Sequence, residues 1–216
     1  MAETKQSARP PDRAAPEPIA RAWSDCAWAL GLRADPATLD DLVRRWSEPH
    51  RRYHDLSHIE ACLRVFDAVR AEAERPGEVL AALLFHDAIY DPRASDNEAR
   101  SAALAIERLA GAAPAAIERI AAAIEATRTH EGRGDAALVI DVDLSILGEE
   151  RAPYDAFERA IREEYAFVGD DAFRTGRAAV LARFAARHPI YRSPTLRAAL
   201  EERAHENLAR AIAALR

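Results

Sequence analysis

The chain has 216 residues, 49% of them hydrophobic and 31% charged, which is ordinary for a folded soluble protein and long enough for one well-buried domain. A formal net charge of −6 supplies no basic field for a nucleic-acid backbone, and no apolar run reaches transmembrane length, so neither nucleic acid nor membrane is an expected partner. Abundant Ala with only 8 Gly favours helix over sheet, and the expected fold class is all-α.

Residues 1–18 are rich in Pro, Ala and charge without periodicity and read as a disordered leader, leaving 19–216 as a single helical domain. Ile19, Ala22, Trp23, Cys26, Ala27 and Leu30 recur at helical spacing up to a stop at Gly31. Asp35-Pro36 caps a second helix carrying Leu39, Leu42, Val43 and Trp46. A third helix starts at Ser57, paired with Glu60 in a capping box, or at Asp55, and either start puts His58 in its first turn. Cys26 and Cys62 lie in apolar patterns without paired spacing and read as small hydrophobes, which fits a reducing cytoplasm.

A central helix is expected from about Glu78 to Tyr90, apolar almost all round except at His86-Asp87. Ser95 and Glu98 form a second capping-box pattern, and Pro114 opens a helix that runs toward His130 and the Gly132 and Gly134 loop. Residues 138–148 alternate like a strand around Asp141 and Asp143, yet no partner strand is visible, so helix is expected. Pro153, Asp170 or Asp171, and Ser193-Pro194 open the last three helices of a bundle of about eight or nine.

A buried His-Asp step needs compensation, because an ionised carboxylate in a low-dielectric interior carries an idealised cost of order 20 kcal/mol. A metal ion is one such compensation. His58, His86, Asp87 and either Asp143 or Asp141 are the side chains on different helices that could ligate it, two nitrogens and two oxygens suited to Mn, Fe, Ni, Co, Zn or Mg with open positions. Taken one at a time, each is more often a structural His or a capping Asp.

Their order changes that weighting. His58, then His86-Asp87, then Asp143 resembles the H…HD…D signature of the HD superfamily of metal-dependent phosphohydrolases. A bacterial branch of predicted HD phosphohydrolases is more similar still, sharing blocks here found at Tyr53 to His58, Phe85 to Asp91, Asp96 to Ala102 and Asp141 to Gly148, with further steps at Ile161 to Tyr165 and Gly176 to Leu181. The resemblance implies an HD-like bundle and places the last ligand on Asp143, with Asp141 behind it.

It also implies hydrolysis of a small phosphorylated substrate, a nucleotide among the candidates, by a metal-activated water, with Asp87 at the centre of the chemistry. Asp91, one turn beyond Asp87, is the candidate proton-handling group, and the alternative is a helix-terminal residue before a proline. Glu98, His54 and His130 are candidate substrate or supporting groups, and Arg162 and Arg177 are candidate phosphate clamps within a basic set that is Arg except for Lys5. The competing readings are a metal- and nucleotide-binding regulatory module without turnover, and a scaffold with a hydrogen-bonded His-Asp pair. Either a monomer or a homodimer is compatible with the chain.

Overall fold

The computed structural model describes residues 15–216. The expected leader falls mostly outside them, and its last residues, Glu17 and Pro18, already belong to the first helix. The described residues contain ten α-helices and two 3-10 segments, one or two more helices than expected, and strand-like pairing among them is limited to one isolated bridge between Ala110 and Ala112. The protein is all-α.

The first five helices are α1 (Glu17–Ala29), α2 (Pro36–Trp46), α3 (Leu56–Val69), α4 (Pro76–Phe85) and α5 (Asn97–Arg108). They are followed by α6 (Pro114–Ala126), α7 (Asp135–Asp143), α8 (Arg151–Glu164), α9 (Asp170–Ala185) and α10 (Pro194–Leu215). Local chemistry accounts for most of the boundaries. Asp35 accepts from the backbone N–H of Ala37 and Thr38, Ser193 from Leu196, and Gly31 takes a positive φ after α1. Asp55, not Ser57, caps α3 by accepting from the Ser57 N–H, so His58 is the third residue of that helix. Ser95 does not cap α5, which starts after Asp96 without a side-chain cap.

α4 is the axis of the molecule. Every residue from Val79 to Phe85 is buried, enclosed by α1, α3, α5, α6 and α7. Each large side chain on it contributes about 1.5–3 kcal/mol by leaving water. Buried apolar residues of all ten helices belong to one connected cluster. Residues 138–148 are helical, as α7 and a 3-10 segment Leu144–Gly148, because Leu138 to Val142 are buried on every side and alternation has no solvent face to mark. Gly148 ends that segment where α10 crosses it. A Cβ there would lie 2.6 Å from the Leu200 carbonyl oxygen.

The central helix stops at Phe85, five residues before the expected end. The turn that follows is held from outside the helix: buried Arg51 donates to the carbonyls of Asp87 and Ala88, just past the helix end, and to that of His54, and is ion-paired with Glu48. The chain therefore turns at His86-Asp87 instead of continuing.

Gly176, inside α9, would meet nothing within 4 Å if it carried a Cβ, and its backbone is not in the left-handed region. Gly176→Ala is expected to stabilise the fold by about 0.5–1 kcal/mol, read as a raised midpoint in urea unfolding.

Candidate metal centre

Three side chains from different elements converge. His58 heads the buried stripe of α3, His86 sits at the end of α4, and Asp143 is the last residue of α7. One ligand atom from each lies within 4.8 Å of the others. Asp143 Oδ1 is 3.3 Å from His58 Nε2 and 3.5 Å from His86 Nε2, and the two nitrogens are 3.3 Å apart. Asp87 joins from the side, its Oδ2 3.4 Å from His86 Nε2.

The donor set fits a divalent cation. His86 Nδ1 lies 2.8 Å from the Leu83 carbonyl, a contact that requires Nδ1–H, so the lone pair of the neutral ring is on Nε2 and faces the cluster. Charge at the site also favours a cation. Burial works against a charged imidazole at His86, but the Asp87 and Asp143 carboxylates overcome it and bring its pKa up to about 9, while buried His58 is lowered. Burial opposes ionisation of Asp143 too, yet hydrogen bonds from His58 and His86 hold it well below the usual carboxylate range. α4 and α7 both end here, adding the partial negative charge of two helix C-termini. The Trp46 ring backs both imidazoles, and Cys62, its thiol pushed up by burial, lies 3.6 Å from His58 Nε2.

Asp141 is separate from this group. It is 2% exposed, and its Oδ2 accepts from the backbone N–H of Arg192 and Ser193, each at 2.6 Å, which anchors the entry to α10. Burial raises its pKa to about 6 against those donors.

Asp91 cannot use the helical argument made for it, because α4 does not extend that far. It is exposed, accepts from the Arg93 N–H and is tied through its backbone to Asn97. Glu98, half-buried near the start of α5, is not among the cluster residues. Arg162 closes α8 onto α9 by donating to the carbonyls of Tyr165 and Val168 and to Asp170. Arg177 is bound by both oxygens of Glu158, at 2.7 and 3.0 Å. Both guanidiniums already have carboxylate partners.

His54 is placed at the site by a residue outside the sequence-based candidates. Glu164 Oε1 accepts from three successive backbone N–H groups, of Arg52, Tyr53 and His54, at 2.8, 2.9 and 3.0 Å. Its Oε2 accepts from His54 Nδ1 and from the Tyr90 hydroxyl, both at 2.7 Å. With Nδ1 occupied, His54 turns Nε2 toward Asp87, 3.9 Å from its Oδ2. Glu164 has a local signal, since Tyr154, Phe157, Ile161 and Glu164 form the buried stripe of α8 and a carboxylate on an apolar stripe is conspicuous. Arg51, which holds the Asp87 turn, has none.

A cavity of about 490 Å³ opens beside the cluster, with Asp143, His54 and His130 on its wall. His130 thus shares a cavity with Asp143 without belonging to the ligand group, its backbone at a positive φ of 55 and its ring edge-on to Phe184. No helix among the described residues is long and apolar enough to cross a membrane. No family model, curated protein or solved structure matches the chain.

Proposed function

We propose that the protein is a metal-dependent phosphohydrolase of HD-superfamily type, cleaving a small phosphoester. The observation that carries this reading is the meeting of His58, His86 and Asp143, with Asp87 beside them, in the chain order of that superfamily's signature. A divalent ion held there would acidify water and polarise a phosphoryl oxygen.

The protein's own groups have distinct tasks. Asp87, on the turn fixed by Arg51, stands between His86 and His54. Glu164 holds His54 by Nδ1, leaving Nε2 to hand a proton to the leaving group or to take one from water, the task first expected of Asp91. In the net reaction the P–O bond to the organic group breaks, water provides the new P–O bond, and the alcohol leaves protonated.

Phosphatase activity is expected to depend on added Mn²⁺, Ni²⁺, Fe²⁺, Zn²⁺, Co²⁺ or Mg²⁺ and to fall by more than about 100-fold in Asp87→Ala. Bound metal with no turnover across a broad panel of phosphomonoesters and phosphodiesters would count against hydrolysis and favour a binding module.

A further inference from the structure

The cavity beside the metal centre has an uneven character. Asp143, His54 and His130 contribute polar groups, whereas Leu144, Ile146, Phe157, Ile161, Phe173 and Phe184 wall much of the remainder. Its volume, about 490 Å³, is within the range of roughly 300–1,000 Å³ usual for small-molecule sites.

The distribution of cations decides what this space can accept. Among the described residues Arg177 is the one guanidinium on the wall, and it is both ion-paired with Glu158 and stacked over the Phe157 ring. The metal centre and His54 can meet one phosphate, but a chain of further phosphates would run on into apolar surroundings whose guanidinium is already paired, and desolvating each is costly. An apolar group entering the same space loses only its contact with water, which is favourable.

We infer that the site takes a phosphomonoester whose organic group is apolar, an alkyl or aryl phosphate, and discriminates against nucleoside polyphosphates. The phosphate sits at the Asp143 and His54 wall and the hydrocarbon fills the space among the phenylalanines. Turnover of such a compound rests on the phosphohydrolase reading. Its binding does not.

The test uses the full chain loaded with Mn²⁺ and a series of n-alkyl phosphonates from ethyl to octyl, which cannot be hydrolysed, titrated calorimetrically. Affinity should rise with each methylene, by up to about fourfold per group while the cavity is filling, and ATP should bind no more tightly than ethyl phosphonate. Val180 lines the cavity and is half-buried. Val180→Asp should flatten the series, and Val180→Phe, which keeps the apolar wall, should shorten the chain length at which affinity stops rising. An affinity independent of chain length, or ATP binding more tightly than octyl phosphonate, overturns the inference.

A parallel measurement of kcat/KM on the matching alkyl phosphates separates the two ideas. Chain-length-dependent binding without turnover keeps the inference and removes the hydrolase. Turnover with a flat series of binding affinities and kcat/KM values does the reverse.

Discussion

Glu164→Ala is expected to lower the unfolding free energy by about 3–5 kcal/mol, a drop of roughly 6–20 °C in the thermal midpoint for a chain of this size. The side chain is fully buried and its two oxygens accept from five donors, three on the backbone of the loop before α3 and two on His54 and Tyr90. Removing the carboxylate leaves those donors without their acceptor in the interior, and each one unsatisfied costs about 1–3 kcal/mol unless the loop opens to water. Loop opening releases His54, so a folded variant should also lose turnover with its metal affinity largely intact. Glu164→Gln keeps an acceptor for the backbone groups and should cost less.

The pH dependence of this difference has a definite sign. Burial resists ionisation of Glu164, but the His54 hydrogen bond and charge, the Tyr90 hydroxyl and the Arg52 N–H hold it well below its ordinary value of 4.5. Its contribution is complete above that value and is lost as pH falls through the lower folded pKa. Burial would lower the His54 pKa, yet the Glu164 bond and the Asp87 charge raise it above 6.5, so that contribution is present below 6.5 and is lost as pH rises through the higher folded pKa. Urea midpoints of wild type and Glu164→Ala should therefore differ most between about pH 4.5 and 6.5, converge as pH falls below that window, and above it lose only the share that charged His54 contributes.

His86→Ala and Asp143→Ala are each expected to reduce affinity for a divalent metal by at least about 100-fold, since even groups that only support a ligand are worth about 10–100-fold. Wild type at a free metal concentration of about 100 times Kd should gain about 2.7 kcal/mol of stability, a thermal shift of roughly 5–11 °C that these variants lose. The comparison with Asp141→Asn is the informative one. Asp141 accepts from the Arg192 and Ser193 backbone, so its replacement should lower the melting temperature and leave the metal-induced shift in place. An intact shift in Asp143→Ala with a lost shift in Asp141→Asn would reverse the assignment.

Much of the fold is legible in local chemistry: helical stripes, proline starts and the Ser193 cap place most elements within a few residues. The converging ligands are legible for the same reason. His58 heads an apolar stripe, and Asp141 and Asp143, two residues apart on one helix, are about 200° apart around its axis, so only one can face the cluster. What the sequence hides depends on distant partners. The apolar run from Leu80 to Tyr90 conceals the end of α4 because the group that holds the turn after it, Arg51, is 36 residues away from Asp87 in the chain. The placement of Asp91 one turn after Asp87 falls with that helix. Glu164 is visible as a carboxylate on a buried stripe, but its partner His54 lies 110 residues earlier. The arginines of α8 and α9 appear free to bind phosphate until Asp170 and Glu158 are seen to hold them.

The most direct test of the metal centre is an anomalous-scattering map from crystals of the full chain soaked in Mn²⁺. A peak is predicted within coordination distance of His58 Nε2, His86 Nε2 and an Asp143 oxygen. A featureless map at that position, with no thermal stabilisation by Mn²⁺ in solution, would contradict it.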